Sequence, residues 1–222
     1  MGKIGNYISS GEYVDENPLM EFEADYWGNC CNTLDEESKQ FCYAKLMGIN
    51  KFTTYSFTVG GKKILDIGGG PTSILLKTHD HKDSKVVDPL KYPEWTIERY
   101  KANNIEYVCK SGEDFDETGY DEVWIYNCLQ HVLDPQKIIE NAKKAAPVLR
   151  IFEWIDIPAH KGHPHELKED KLNEWIGGIG KTGQMKYSEF STLYEAVQPI
   201  LTERIEPGSA FYYGEFNHKV KA

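Results

Sequence analysis

The sequence predicts an α/β protein built on a mostly parallel sheet with helices on both faces, a three-layer sandwich. Three observations carry this. Short apolar runs recur from Lys62 onward, each bounded by turn residues and separated by stretches with helical spacing. One of these runs ends abruptly in three glycines and a proline. No repeat or low-complexity linker divides the 222 residues, a length suited to one core plus an extension.

The elements follow in order. Residues 1–60 are acidic and aromatic and read as loops followed by a helix near Glu36–Met47, with Asp35 as a candidate cap and Phe41, Ala44 and Met47 along one face. KKILDI (62–67) is an apolar strand that GGGP breaks. Pro71 suits the first turn of a helix running through Thr72–Lys77. SKVVD (84–88) is a second strand, PEWTIERYKANN (93–104) an amphipathic helix and IEYVC (105–109) a third strand. DEVWIYN (121–127) is a fourth, Pro135–Ala146 a helix, and PVLRIFEWI (147–155) a fifth strand. Strands joined by helices of this length pair in parallel through right-handed crossovers. Beyond Pro158, HELKEDKLNEWIG predicts a helix. Two last strands are expected near Gln184–Phe190 or Ile200–Ile205, and at Ala210–Phe216.

Composition narrows the function. The net charge is −10, and no Lys/Arg-rich run neutralises successive phosphates, so small molecules or proteins are expected partners and duplex nucleic acid is disfavoured. Nothing approaches the 18 or so uninterrupted apolar residues of a membrane span. No basic stretch followed by an apolar one begins the chain, and Asn6 breaks the myristoylation pattern after Gly2. Five cysteines (30, 31, 42, 109 and 128) lack C-x-x-C spacing, which suits reduced thiols in a cytoplasmic protein.

The chemistry concentrates at D-I-G-G-G-P. Gly68 and Gly70 permit a tight turn whose backbone approaches a ligand closely, with Gly69 between them. The helix expected after it offers unpaired N–H groups. Asp88 ends the next strand, where a carboxylate can accept hydrogen bonds from both hydroxyls of a ribose. These features fit any nucleoside-type ligand. Asp66, two positions before the first glycine, would repel a pyrophosphate, whereas it suits a ligand bearing an ammonium and a sulfonium. Ser73 stands where a dinucleotide fingerprint has its third glycine.

At these residues the chain resembles the class I methyltransferase superfamily. ILDIGGGPTS is similar to its D-x-G-x-G motif, VVDPL to its second-strand acidic motif, and YVCKSGEDF to the loop that cradles adenine. YDEVWIYNCLQHVLDP resembles the fourth strand and following segment of small-molecule members. The four motifs stand in the family's order over about residues 60–155; Thr72 replaces a further motif glycine. The resemblance implies a Rossmann-like, seven-stranded domain over 56–222 with residues 1–55 as an extension or lid. It implies S-adenosylmethionine as cofactor and methyl transfer to a small-molecule acceptor, and leaves a homodimer open. Carried over, Asp66, Gly68, Gly69 and Gly70 surround the methionine moiety, Asp88 holds the ribose, Gly112 and Glu113 lie near adenine, and Asn127 faces the methyl donor. A non-catalytic nucleoside-binding protein is the alternative from another class; an NAD-dependent oxidoreductase is disfavoured by Asp66 and Ser73.

Other residues are weighed singly. His131 follows Asn127 by one helical turn and has the pKa range of a general base, with Asp134 near enough to orient it. His160, His163 and His165 form H-x-x-H-x-H. The flanking Pro158 and Pro164 mark a loop after the fifth strand, so no metal is expected and His163 and His165 are assigned to the substrate. Tyr26 and Trp27 are candidates for a lid stacking over cofactor or substrate.

Overall fold

The computed structural model describes residues 18–53, 55–185 and 209–218. Seven strands form one sheet: β1 (Ile64–Ile67), β2 (Ser84–Asp88), β3 (Ile105–Cys109), β4 (Glu122–Tyr126), β5 (Val148–Ile155), β6 (Lys181–Met185) and β7 (Ser209–Asn217), in the order β3-β2-β1-β4-β5-β7-β6. The first five pair in parallel; β7 runs antiparallel to both β5 and β6. The strand order reverses direction between β1 and β4, and the crevice beyond their carboxyl ends is where open α/β sheets bind ligands.

Burial explains the strands. Every residue of β1 and β4 is buried, as expected of central strands covered on both faces. One core layer joins Leu65, Val123, Ile125 and Leu149 to the apolar stripe of α4 (Pro135–Ala145), namely Ile138, Ile139, Ala142 and Ala145. Asp134 caps α4, its Oδ1 accepting from Lys137 N at 3.0 Å, and Pro135 occupies the first turn. The opposite layer joins Ile64, Val86, Trp124 and Phe152 to Tyr43 and Ala44 of α2 (Leu34–Leu46) and to Met47, its C-cap. The segment expected to lie over a core therefore supplies part of it. Arg150 ties α2 down by donating to Met47 O (2.6 Å) and pairing with Glu122 (2.7 Å), itself buried and held to about 2 by Arg150, Lys62 and Trp124 despite its burial.

Several expectations need correction. A helix, α1 (Pro18–Trp27), precedes α2 where loops were expected, and the N-cap position of α2 is Thr33 rather than Asp35. The turn after GGGP is only a short 3-10 helix, Ile74–Lys77, capped by Ser73. Helices α3 (Glu94–Ala102) and α5 (Glu169–Ile176) form within their expected stretches. Strand β6 begins earlier than expected and overlaps the first alternative at Gln184, while β7 matches Ala210–Phe216. The alternative at 200–205 lies outside the described residues. Among the described residues, no helix is long and apolar enough to cross a membrane.

Candidate active site

The glycine turn is shaped by close approach. Gly68 (φ +73°) and Gly70 (φ +61°) both adopt left-handed backbone, and a Cβ on Gly68 would lie 2.2 Å from Cys128 Sγ. The backbone of β1 thus passes directly against the segment after β4. Gly69 faces inward instead, where a Cβ would meet the Asp66 carboxylate at 2.7 Å.

Asp66 lies beneath this turn, fully buried, and does not line the cavity above it. Ser73 Oγ and Tyr126 Oη (2.6 Å) donate to its Oδ2, while Oδ1 has no partner among the described residues. Burial pushes this carboxyl up to about 7, against the two hydroxyl donors that lower it. The expected direct contact between Asp66 and a cofactor ammonium is not supported by this position, because the carboxylate lies behind the turn and outside the cavity wall. The N–H groups expected to be free at the following helix are also taken. Ser73 N donates to Tyr100 Oη (2.9 Å), Ile74 N to Tyr126 Oη (3.0 Å) and Leu75 N to Ser73 Oγ (2.9 Å).

Above the turn, a half-open, largely apolar cavity of about 470 Å³ lies at the carboxyl ends of β1, β2 and β4. Gly68, Gly70, Asp88 and Asn127 line one side; Tyr26, Trp27, His131 and His163 line the rest. Its volume lies in the ~300–1,000 Å³ range of small-molecule sites. Asp88 is buried, accepting from Leu90 N (3.0 Å) and Tyr92 Oη (3.2 Å) at Oδ1 and from Gly70 N (3.1 Å) at Oδ2. Burial raises it to about 6 despite these donors. It thus couples the end of β2 to the glycine turn as well as facing the cavity. Asn127 sits in left-handed backbone (φ +50°), its Oδ1 accepting from Gln130 Nε2 at 3.2 Å.

Gly112 and Glu113 stand beside a narrow continuation of about 30 Å³, room for water rather than a purine, which shares Met20, Gly68 and Cys128 with the main cavity. A Cβ on Gly112 would strike Ile67 at 2.7 Å. Glu113 accepts from Leu133 N (3.0 Å) and Asp134 N (3.2 Å), so it splices the loop after β3 to the segment after β4.

His131 ends a 3-10 turn, Leu129–His131, and faces the cavity. Its orienting partner is not Asp134, which caps α4, but Glu23 of α1: Nδ1 lies 2.8 Å from Glu23 Oε1 and 2.8 Å from Gly162 O. Burial disfavours the imidazolium, yet Glu23 and Glu153 outweigh it and the pKa is raised. Glu153, fully buried on β5, accepts from Cys128 N and Leu129 N and is pushed up to about 7 by burial. His163 packs edge-on against His131 (centroids 4.4 Å apart) and against His160 (4.3 Å); burial and these neighbours push it down to about 3. His165 turns away, its Nε2 on Val132 O at 2.8 Å, so the substrate role assigned to it gives way to a tie between loops. Tyr26 and Trp27 pack edge-to-face at 5.1 Å, and Trp27 lies over Gly70. Sequence reading missed Glu23, Glu36 and Lys39, the last two an ion pair at 3.1 Å in the cavity wall, and Glu153 beneath it. Charged residues on helices carry no local signal that distinguishes a cavity wall from solvent.

A more open, polar groove of about 620 Å³ lies between α5 and β6, bordered by Asp156, Lys168 and Thr182. It is remote from the strand-order reversal, and the buried carboxylates Asp66, Asp88 and Glu153 cluster at the apolar cavity, where we place the site.

No protein-family model and no curated protein matches the chain. Solved structures do. The 1,6-didemethyltoxoflavin-N1-methyltransferase of Burkholderia thailandensis, with bound 1,6-didemethyltoxoflavin and S-adenosylhomocysteine, superposes with TM-score 0.61 at 13% identity, over 93% of this chain and 94% of that one. The magnesium protoporphyrin IX methyltransferase of Synechocystis, with bound SAM, gives 0.54 at 14% identity, over 93% and 99%. The 4+2 cyclase SpnF gives 0.53 at 11% identity, over 84% and 82%. One of the three is named for a different reaction, so the likeness speaks to architecture and leaves the chemistry to the side chains. By that likeness, and by its strand order, this chain has the Rossmann-like, seven-stranded fold of the class I methyltransferases.

Proposed function

We propose that the chain is an S-adenosylmethionine-dependent methyltransferase acting on a small-molecule acceptor. The observation that carries this reading is the cavity itself. One cavity joins the Gly68–Gly70 turn and the Asp88 carboxylate at one end to His131 at the other. The residues fit the cofactor. The turn admits a backbone approach that a Cβ on Gly70, 3.4 Å from Trp27, would crowd. Asp88 faces the place of a ribose, and the Glu36–Lys39 ion pair stands in the same wall. Gly112 and Glu113 border the place of adenine, a space of about 30 Å³ that must widen to admit a purine. When bound, the cofactor supplies an electrophilic methyl group. The chain's contribution is alignment of the acceptor, exclusion of water and management of the acceptor's proton.

A dinucleotide is disfavoured by the same turn, because the N–H groups of residues 73–75 are committed to Tyr100, Tyr126 and Ser73 and do not face a pyrophosphate. Two neighbours of the same fold hold S-adenosylhomocysteine or SAM, which agrees with the proposal. Calorimetry with S-adenosylmethionine, S-adenosylhomocysteine and NAD tests it: the first two should bind and NAD much more weakly. Methyl-labelled cofactor incubated with a cell metabolite extract then identifies the acceptor by mass. Tighter binding of NAD overturns the proposal, and binding without label transfer favours the non-catalytic alternative.

A further inference from the structure

We infer that Glu23, carried on α1, is the positioning residue that makes His131 the proton acceptor of this site, and that the adjoining half of the cavity takes a flat ring bearing a weakly acidic O–H or N–H. This deepens the methyltransferase reading and rests on it.

The geometry fixes the imidazole. Both groups at Nδ1, Glu23 Oε1 and Gly162 O at 2.8 Å each, are acceptors, so Nδ1 carries the hydrogen and Nε2 presents a lone pair. Among the described residues, Nε2 meets the Gln130 amide nitrogen, 3.3 Å away, at the weak end of hydrogen bonding and readily exchanged for an acceptor's O–H or N–H. A carboxylate on one imidazole nitrogen and a substrate proton at the other is the arrangement in which histidine takes a proton and the carboxylate stabilises the resulting imidazolium.

The groups facing His131 come from three other elements. Glu23 approaches from α1 and Glu153 from β5, while His163, with His160 behind it, comes from the loop after β5. Both carboxylates favour a charged His131. His163 stays neutral beside it, so the cluster holds one imidazolium without a second. Helix α1 is seated at this point by packing as well. The Phe22 ring lies so close to Gly162 that a Cβ there would fall 2.4 Å from it. Phe22 and Glu23 thus dock α1 onto the same short stretch that holds Nδ1.

The shape of the acceptor follows from the wall. Phe22, Tyr26, Trp154 and the imidazoles of His160 and His163 surround the space beside His131 with flat faces, which suit a planar ring. Glu23 is already matched to His131, so a neutral acceptor leaves no charge there unpaired. In the reaction, the acceptor's O–H or N–H bond breaks toward Nε2 and its electron pair remains on the heteroatom. That atom forms the new bond to the methyl carbon, the pair of the broken sulfur–carbon bond stays on sulfur, and the proton leaves the imidazolium for solvent.

The test uses the full chain saturated with S-adenosylhomocysteine. Histidine side-chain nitrogens are followed by NMR through a pH titration, with His131→Gln assigning the resonance. In the unaltered protein His131 should titrate above the ordinary 6.5 and carry its hydrogen on Nδ1 below one full charge. Glu23→Gln should lower the midpoint by about 1 unit and mix the two tautomers, with Glu23→Asp in between. Trp27 and Trp154 report binding by fluorescence: 2-naphthol should bind about tenfold tighter than 2-methoxynaphthalene, which lacks the hydrogen, and should shift Nε2. Identical titration of His131 in the unaltered and Glu23→Gln proteins overturns the positioning role. Equal binding of the two naphthalenes overturns the acceptor assignment. Failure of S-adenosylhomocysteine to bind, with His131 titrating as stated, instead removes the methyltransferase reading and the acceptor class with it.

Discussion

Asp66→Asn should change stability in a pH-dependent way, because the native side chain is buried where its charge is disfavoured. Folded, the carboxyl titrates near 7; its ordinary value is 3.8. A carboxyl raised on folding favours the native state at low pH, where it is protonated in both states. That advantage is lost as pH rises, beginning near the unfolded value and ending once the folded group ionises. Integrated over the two titrations, the loss from this group is about 4 kcal/mol by pH 8, most of it between pH 5 and pH 8. The amide has no charge to bury, and its oxygen can still accept from Ser73 and Tyr126. Its NH2 group takes the place of the partnerless Oδ1, a pH-independent cost of about 1–3 kcal/mol. Relative to the native protein, the variant should therefore gain about 3 kcal/mol on going from pH 5 to pH 8. Urea unfolding followed through tryptophan fluorescence at intervals across that range measures it. A difference that stays flat with pH would show that Asp66 ionises as freely in the folded chain as in the unfolded one. The same titration bears on the ligand. If a cofactor ammonium is felt through the turn, binding near pH 6.5 should release protons, seen as a calorimetric enthalpy that varies with the buffer's ionisation enthalpy.

Three further outcomes follow from the same contacts. Asp88→Ala should weaken S-adenosylhomocysteine at least about tenfold, since hydrogen bonds to a charged acceptor are worth roughly 1.5–3 kcal/mol each, and should also lower the melting temperature because Gly70, Leu90 and Tyr92 lose their acceptor; unchanged affinity in calorimetry would show that no ribose lies there. Gly68→Ala should cost about 2–5 kcal/mol in urea unfolding, combining a left-handed alanine with overpacking against Cys128, and Cys128→Ala should recover part of it; additive effects of the two changes would contradict the contact. Removing residues 1–28 should leave a cooperative melt, whereas removing 1–50 should abolish it, because the second cut deletes Tyr43, Ala44 and Met47 from the core; a cooperative melt of the shorter chain would mean that α2 is dispensable.

Much of the site's address was legible in the chain, and much of its wiring was not. The glycine turn, Asp88 at the end of β2 and Asn127 at the end of β4 announce themselves because strand periodicity and left-handed turns are set by near neighbours. The short 3-10 turn after GGGP was misread as a helix with free N–H groups, since tyrosines from α3 and β4 take up those groups and neither is adjacent in sequence. Asp134 was the obvious partner for His131 by proximity, but a cap on α4 claims it.

The sequence by itself determined the α/β class, the strand–glycine–strand layout and the pole of the sheet at which the candidate site lies, because these rest on local patterns that survive without knowledge of the rest of the chain. Only the tertiary structure decided which charges meet. Asp66 finds Tyr126 sixty residues away, and His131 finds Glu23 on a helix from the far end of the chain. A carboxylate's ionisation depends on the solvent it loses and the donors it gains, and both are fixed only when distant segments pack.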